Sequence, residues 1–302
     1  MVRGDDPQID ATLAVLKAAD ADIVALQGID WDAEGKALGW LANQAGYPHH
    51  YTQVPNAGLA TPLDLDGDGQ TGDPGDAQGW GRFHGDGALA LLSRFPIHAD
   101  AAVNASDLLW RDLPDARLPQ INDTPFPSAE ALSIQRLSST GHWMVPIALP
   151  GDHRITILTF HASPPVFDGP EDRNGLRNAD EIFLWHRLLN GQLPITPPTG
   201  PIVLMGNANL DPQDGEGRHE AIQTLLAHPR LTPLAPVGAE GTDTVDWQDP
   251  TPGNLRVSYI LPDRALNVAD HGVFWPAPTD ARFDAVAQAS RHRLLWVDLS
   301  LP

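Results

Sequence analysis

The feature that most constrains the fold of this chain is the alternation of short apolar runs with helical patterns. Runs typical of buried strands lie at 22–27, 87–93, 143–149, 154–160, 201–205, 255–261 and 294–299. Helical periodicity separates several of them, at 34–44, 177–189 and 217–227. Gly151 and Asp152 join two neighbouring runs as a hairpin turn would. Hairpins mixed with helical crossovers predict a mixed sheet, or two packed sheets flanked by helices.

Capping residues indicate where two of the helices begin or end. Asp6 is a favourable N-cap, and Pro7 suits the first helical position because it needs no N–H partner there. Asn190 and Gly191 form a C-cap after the run 177–189. We therefore expect one helix to begin at Pro7 and another to end near residue 189.

Bulk properties narrow the class of protein. The strand pattern runs through all 302 residues, so we expect a single domain over 1–302. Nineteen basic against 39 acidic side chains give a net charge of −20, without a basic cluster, which disfavours a nucleic-acid substrate. The chain has no cysteine, which excludes disulfides, thiol catalysis and zinc–thiolate sites. No apolar stretch approaches the roughly 18 residues that span a bilayer.

Polar residues follow several predicted strands at the point where each strand ends. Gln27 leads into a polar loop, and His161 directly follows an apolar run. Segments 205–212, 256–262 and 290–293 have the same character. Because α/β enzymes build their sites from polar strand ends that converge from distant parts of the chain, these segments predict one site.

Taken in order, these segments resemble the endonuclease/exonuclease/phosphatase (deoxyribonuclease-I-like) superfamily. That family has a strand ending in Gln-Glu, a Thr-His-Leu-like strand end, Gly-Asp-Phe-Asn, an Asp-Tyr-Ile-Leu strand and a final Ser-Asp-His. Counterparts of all five occur here over residues 21–299, and segments 63–82 and 161–178 look like a bacterial subgroup. The resemblance implies an α/β (α+β) fold, a four-layered sandwich of two packed mixed β-sheets flanked by helices. It also implies a first strand that would precede Val2.

The departures from the family pattern fall on residues that the resemblance assigns to catalysis. Gly28 stands where the family has a metal-binding glutamate, and Asn207 where an aspartate orients or deprotonates the attacking water. Ser258 and Arg291 replace two further aspartates. The expected catalytic set is therefore His161, Asn207, Asn209 and His292.

The missing carboxylates weaken the case for hydrolysis. Phosphodiester hydrolysis needs a hard cation such as Mg²⁺ held by oxygen ligands, and a positioned base. The amide of Asn207 can position a water but cannot take its proton. The aspartates close to strand ends that could substitute are Asp30, Asp32, Asp211 and Asp246.

The start of the helical run near 177 offers a place for a phosphate group. Arg173 and Arg177 could contact a phosphate bidentately, with Asn178 beside them. The alternative is a loop salt bridge to Glu171 or Asp172.

Segment 64–69 is a separate signal that resembles the start of a calcium loop. It has aspartate at its first, third and fifth positions, followed by glycine, but Gly75 occupies the twelfth position, where a bidentate glutamate is expected. The alternative is an acidic surface loop, but three carboxylates this close repel one another without a cation. The expected Ca²⁺ ligands are Asp64, Asp66, Asp68, Asp73 and Asp76.

Two functions fit these observations. The first is a metal-dependent phosphoesterase with a depleted carboxylate site, using Mg²⁺ on a small or lipid-linked phosphate monoester or diester. The second is a catalytically inactive family member that binds a ligand or a partner. A calcium-stabilised structural module would explain residues 64–76 but not the histidines. The lack of cysteine fits an exported bacterial protein, so a periplasmic or extracellular location is expected.

Overall fold

The computed structural model describes residues 6–300, in which helices and strands alternate along the chain. The helices are α1 (Pro7–Ala19), α2 (Lys36–Ala45), α3 (Ala129–Ile134), α4 (Arg173–Leu189), α5 (Glu220–Leu226) and α6 (Phe283–Ala289). The strands are β1 (Ile23–Ile29), β2 (His49–Tyr51), β3 (Ala88–Ser93), β4 (Val103–Asn104), β5 (Gln120–Ile121), β6 (Thr124–Pro125), β7 (Gly141–Leu149), β8 (His153–His161), β9 (Ile202–Asn207), β10 (Ser258–Pro262), β11 (Asn267–Phe274) and β12 (Leu294–Ser300). Over residues 6–300, no helix has the length and apolar character to cross a membrane.

The larger sheet has five strands in the order β10-β9-β8-β7-β4. The β7–β8 hairpin turns at Gly151 and Asp152, as the sequence predicts. β8 and β9 are parallel, and α4 forms the crossover between them. The central strands are apolar on both faces, which is typical of strands covered on both sides.

The smaller sheet is antiparallel, in the order β1-β3-β2. Its central strand β3 is buried along its whole length. The outer face packs against α1 and α2, where Leu16, Val24, Leu38 and Ala42 belong to one apolar cluster. The inner face packs on the larger sheet.

Apolar clusters on the two faces of the larger sheet complete four layers. Between the sheets, Leu89 and Leu91 of β3 join a cluster with Val145, Ile157 and Val203. The opposite face of the larger sheet packs against α4 and α5 in a second cluster. The layers are therefore helices, three-stranded sheet, five-stranded sheet and helices, which confirms the predicted sandwich.

A two-stranded antiparallel ladder and a helix from residues 267–300 lie on the smaller sheet's side of the sandwich. β12 pairs with β11 in a separate two-stranded ladder. α6 packs against α1, and the side-chain amide of Gln8 donates to the carbonyl of Ala289 at 3.1 Å. The first and last described helices therefore lie side by side.

The predicted partners of β1 and of the strand near 258 were wrong. The sequence predicts that the strand ending at Gln27 lies beside those ending at Phe160 and Met205, with the strand near 258 in a second sheet. In the structure β1 pairs with β3, and Ser258 lies beside Asn207 in the larger sheet. The reason is edge occupancy: β7 and β9 take the two edges of β8, and β10 takes the free edge of β9.

Candidate active site at the strand ends

Three neighbouring strands of the larger sheet bring a row of polar residues together. His161 of β8 lies opposite Asn207 of β9, and Asn207 lies opposite Ser258 of β10. Neighbouring strands are about 4.8 Å apart, so the three side chains span roughly two strand spacings. The sequence predicted this convergence, and the register places all three in one line.

The amides of Asn207 and Asn209 hold the imidazole of His161. The amide nitrogen of Asn207 lies 3.1 Å from Nε2 of His161, and that of Asn209 lies 3.4 Å from the same atom. The backbone N–H of Asn209 donates to Oδ1 of Asn207 at 2.9 Å, and the Asn209 amide donates to the carbonyl of Ala162 at 2.8 Å. Since both amides donate to Nε2, the network assigns the hydrogen of the neutral ring to Nδ1.

His292 reaches the same site from the other side of the sandwich. It precedes β12, bridges to Val245 and lies edge-on to the indole ring of Trp247 at 6.0 Å between centroids. Both His161 and His292 line one cavity of about 980 Å³, together with Asn207 and Ser258. The structure therefore brings together the two histidines and the strand-end row.

Burial keeps both histidines neutral near pH 7. Desolvation, with a smaller contribution from the charge of His292, lowers the pKa of His161 to about 4. Desolvation and the neighbouring Arg293 lower the pKa of His292 to about 4 as well. Two neutral imidazoles can accept hydrogen bonds or bind a cation, but they add no positive charge to attract a phosphate.

The lowered pKa values make folding sensitive to acid. An unfolded histidine titrates near pH 6.5. Between about pH 6.5 and 4, His161 and His292 therefore bind protons in the unfolded state but not in the folded state. The free energy of unfolding should therefore fall as the pH drops from 7 to 4.5, by on the order of 2 kcal/mol per histidine.

Denaturant titrations at the two pH values check this expectation. The double variant His161→Gln/His292→Gln should lose less stability on acidification than the parent. His153→Gln, at the exposed start of β8, should behave like the parent. Equal acid sensitivity of the parent and the double variant would contradict the assignment.

Gly28 stands where the family pattern has a glutamate, and its surroundings leave open space for a larger side chain. Gly28 lies at an irregularity of β1 between Gln27 and Ile29, with a φ of +77°. A Cβ added there would meet no atom within 4 Å. A glutamate at this position has space, but its backbone conformation costs energy in any residue other than glycine.

Of the four aspartates that could substitute, three are committed to other partners. Asp32 accepts the backbone N–H groups of Lys36 and Ala37 at the start of α2. Asp211 is buried and accepts three backbone N–H groups, from Gln213, Asp214 and Arg256. Asp246 pairs with Arg293.

The fourth aspartate, Asp30, is exposed in the loop after β1. It accepts the backbone N–H of Gly87 at 3.2 Å, and it does not line the cavity.

The donor set at the strand ends does not fit Mg²⁺. The groups that line the cavity beside His161 are an imidazole, an amide and a hydroxyl, whereas Mg²⁺ prefers carboxylate and water oxygens. The aspartates that line the cavity, Asp20, Asp22 and Asp298, lie before β1 or late in β12, away from the strand ends that carry the histidines.

Arg177 and Asn178, two of the predicted substrate contacts, are buried and bind backbone carbonyls. Arg177 is 3% exposed and donates to the backbone carbonyls of Gln78, Arg136, Leu137 and Ser138. The fully buried amide of Asn178 donates to the carbonyls of Ser163 and Ala208. The donors that they use hold loops together.

Arg173 faces acidic residues. Its guanidinium is largely buried, and burial lowers its pKa while Asp66, Asp168, Glu171 and Asp64 oppose that shift. Arg173, Asp66 and Asp168 line a second cavity of about 350 Å³. Arg173 is therefore placed as a counter-charge to the acidic loop.

Glu181 was not predicted from the sequence, and it organises the loops beside the site. This fully buried carboxylate accepts the backbone N–H and hydroxyl groups of both Ser139 and Ser163, at 2.6–2.7 Å. Burial raises its pKa, and Arg177 one helical turn earlier opposes that shift. The i, i+4 spacing of an arginine and a glutamate in α4 was the available signal.

The predicted calcium loop places three of its five aspartates together. Oxygen atoms of Asp64, Asp66 and Asp68 lie within 4.8 Å of one another, a set that fits a hard cation. Asp76 is buried and accepts the backbone N–H groups of Leu65, Gly72 and Asp73, so it orders the loop. The carboxylates of Asp66 and Asp73 both approach Gly75.

Comparison with known proteins agrees with this architecture. The sequence profile of the Endonuclease/Exonuclease/phosphatase family matches residues 2–292, and the chain therefore belongs to that family. Its fold is the α/β sandwich of that family. A comparison with curated proteins found no match.

Solved structures share the fold at low sequence identity. The chain is similar to an endonuclease/exonuclease/phosphatase from Beutenbergia cavernae, at 19% identity and a TM-score of 0.60, covering 98% of this chain and 66% of that one. It is also similar to a family protein from Leptotrichia buccalis, at 16% identity, TM-score 0.57 and coverage of 97% and 93%. An AP endonuclease from Archaeoglobus fulgidus aligns at 11% identity, TM-score 0.54 and coverage of 98% and 95%. The chain spans 66% of the length of the Beutenbergia cavernae protein.

Proposed function

We propose that this protein is a phosphoesterase-family member that binds a small or lipid-linked phosphate ester and hydrolyses it feebly, without the resident Mg²⁺ that its donor set does not fit. The observation that carries the proposal is the neutral row of His161, Asn207 and Ser258 at three adjacent strand ends. Within such a row the hydroxyl of Ser258 can donate to an oxygen of a phosphate ester, and the oxygen of the Asn207 amide can accept from a water. It lacks a carboxylate that would bind the metal and take the proton of water.

The residues of the row have different capacities. Both hydrogens of the Asn207 amide are engaged, with Nε2 of His161 at 3.1 Å and with Oδ1 of Asn209 at 3.1 Å, so this amide can orient a water only through its oxygen. His161 is neutral near pH 7, and its pKa of about 4 makes it a weak base. Slow hydrolysis, orders of magnitude below that of a complete site, is the expected consequence.

An assay with an aryl phosphodiester tests the proposal. We expect weak hydrolysis that is lost in His161→Ala. The matched control is His153→Ala, which removes an exposed histidine from the opposite end of β8. Hydrolysis that survives His161→Ala would show that the activity lies elsewhere.

A non-catalytic binding role is the second candidate, and the neutral donor set favours it. In that case the parent would bind an aryl phosphate in a calorimetric titration but would not hydrolyse it. A parent that neither binds nor hydrolyses the ester would contradict both candidates. An exported location agrees with the absence of cysteine and belongs to the same proposal.

We further propose that the loop 64–76 binds Ca²⁺ through Asp64, Asp66 and Asp68. Binding to the native state alone should stabilise the protein by about 2.7 kcal/mol at a hundredfold excess of Ca²⁺ over its Kd. Chelation should lower the melting temperature of the parent but leave that of Asp66→Asn unchanged. Asp100→Asn, an exposed aspartate outside the loop, should respond to chelation like the parent. An unchanged parent melting curve in excess chelator would contradict the proposal.

A further inference from the structure

The second cavity lies between the acidic loop and the start of α4. It has a volume of about 350 Å³, and its lining residues come from segments 66–68 and 167–173. Asp66 and Asp68, two of the expected Ca²⁺ ligands, line it together with Arg173, the first residue of α4. A ligand in this cavity would therefore lie beside both the proposed calcium site and a guanidinium.

Arg173 has hydrogen-bond donors that the folded chain leaves unpaired. The residue is 9% exposed, and its Nε has no hydrogen-bond partner among residues 6–300. The one side-chain hydrogen bond found for it there is a long contact of 3.4 Å from Nη1 to Oδ1 of Asn174. Arg173 also takes part in none of the ion pairs within that part of the chain. Because a buried charge without acceptors is costly, the unpaired donors point to a ligand with acceptor oxygens.

The nearest carboxylates accept hydrogen bonds from the backbone and not from this guanidinium. Asp168 accepts the backbone N–H of Asn174 at 2.5 Å. Glu171 accepts the backbone N–H of Gly169 at 3.0 Å. Both carboxylates oppose the lowering of the pKa of Arg173 by burial, so they act on its charge from a distance. They therefore keep the guanidinium charged without using its donors.

Bound Ca²⁺ is the condition for an anion in this cavity. The lining holds one guanidinium and four carboxylates, those of Asp66, Asp68, Asp168 and Glu171, which on their own repel an anion. Ca²⁺ takes about 6–8 oxygen ligands, and three aspartates supply at most about six of them even when each is bidentate. Oxygen atoms of a ligand can take the remaining positions. An anion should therefore bind only after Ca²⁺.

Phe167 adds an apolar wall to this polar cavity. It lines the cavity, and its side chain is 88% exposed. An aromatic ring beside a bound phosphate can pack against a ring or an apolar chain of the same ligand. The lining therefore favours an organic phosphate over the inorganic ion.

We propose that the second cavity is a Ca²⁺-dependent site for a phosphate monoester, whose phosphate oxygens contact both Ca²⁺ and Arg173 and whose organic group packs on Phe167. The three terminal oxygens of a monoester suit contact with two cations, and a guanidinium can bind two of them at once. The proposal rests on the calcium proposal above. It does not depend on the strand-end site, which carries the proposed phosphoesterase function.

Calorimetric titration of the protein with Ca²⁺, with and without phenyl phosphate, tests this proposal. Two ligands that favour each other's binding do so reciprocally, so phenyl phosphate should tighten Ca²⁺ binding about tenfold. Phenol has the ring without the phosphate and should leave the Kd for Ca²⁺ unchanged. An equal effect of phenol would overturn the proposal.

Variants at the cavity identify the residues responsible. Arg173→Met should still bind Ca²⁺ but lose the tightening by phenyl phosphate. Arg154→Met, at an exposed position of β8, should keep it. Phe167→Ala should reduce the tightening roughly threefold, through the lost ring contact. Because Phe167 is exposed, this variant tests the proposal even if Arg173→Met fails to fold.

Vesicles distinguish a lipid headgroup from a soluble ester as the source of the phosphate. The protein is mixed with phosphatidylcholine vesicles, with or without phosphatidic acid, and sedimented. Sedimentation that requires Ca²⁺, phosphatidic acid and Arg173 would support a lipid source. A response to phenyl phosphate without sedimentation would support a soluble ester.

The outcomes separate this proposal from those on which it does and does not rest. A Kd for Ca²⁺ that phenyl phosphate leaves unchanged, or a tightening that survives Arg173→Met, would overturn this proposal alone. A parent that binds no Ca²⁺ would overturn it together with the calcium proposal. Neither result bears on the strand-end site, because Ca²⁺ affinity is measured without hydrolysis.

Discussion

Restoring aspartate at Asn207 and Ser258 should raise Mg²⁺-dependent hydrolysis of an aryl phosphodiester by about 10²–10⁴-fold. The two residues lie opposite each other on β9 and β10, so the new carboxylates would stand side by side at the strand ends. One carboxylate can bind the metal while the other takes the proton of the attacking water. A carboxylate beside His161 would also raise the pKa of that histidine and so strengthen it as a base.

The chain offers a matched control for this double substitution. Asn267 and Ser300 also lie opposite each other, on β11 and β12, and both are exposed. Asn267→Asp/Ser300→Asp adds the same two charges to a similar cross-strand pair outside the cavity, and should leave activity unchanged. An equal gain in both double variants would show that charge alone is responsible.

Gly28→Glu extends the experiment by adding a metal ligand at the end of β1. Its φ of +77° should cost about 1–2 kcal/mol of stability, although the space around it is open. We expect the triple variant to exceed the double variant in activity at saturating Mg²⁺. If the parent is as active as the restored variants, another carboxylate such as Asp30 serves the site. Folded but inactive variants that still bind an aryl phosphate would favour the binding role.

Replacing Arg177 should be the most destabilising single change among the residues described above. Its guanidinium donates to four backbone carbonyls and faces the buried carboxylate of Glu181. Arg177→Met would remove those four hydrogen bonds and leave the charge of Glu181 uncompensated, a loss of about 3–5 kcal/mol. Denaturant titration would measure it. Arg154→Met, at an exposed position of β8, should change stability by less than about 0.5 kcal/mol.

Adding Glu181→Gln to Arg177→Met tests whether charge pairing is the cause. The double variant should be more stable than the sum of the two single losses predicts, since the uncompensated charge disappears. Strict additivity would contradict coupling between the two side chains. Full stability of Arg177→Met would show that the carbonyl contacts contribute little.

The strands and helix ends were predictable because each depends on a local run of residues. Asp6 caps α1 through the backbone N–H groups of Gln8 and Ile9, as its position before Pro7 indicates. Which strand lies beside which does not depend on a local run of residues. The apolar run that became β1 gives no sign that β3, and not β8, lies beside it, since apolar pairing is not specific. β11 was missed because exposed polar residues interrupt its apolar pattern.

The site was predictable as a set of strand ends, but the burial around it was not. Order along the chain was enough to bring His161, Asn207, Ser258 and His292 to one cavity. Arg177 was expected at a phosphate because a basic residue in a loop-to-helix segment is commonly exposed. Its burial follows from loops at 78 and 136–138 that fold over α4. Such long-range packing leaves no periodic trace in the sequence.

The contact between α1 and α6 has a consequence for the order in which the protein forms during synthesis. The apolar face of α1 that includes Ala11 and Val15 is made well before Val286 and Ala289 of α6 leave the ribosome. The larger sheet has all its strands once residue 262 is complete, so it can assemble first. Until α6 arrives, α1 exposes apolar surface, which makes the nascent chain that still lacks α6 prone to aggregation and to chaperone capture.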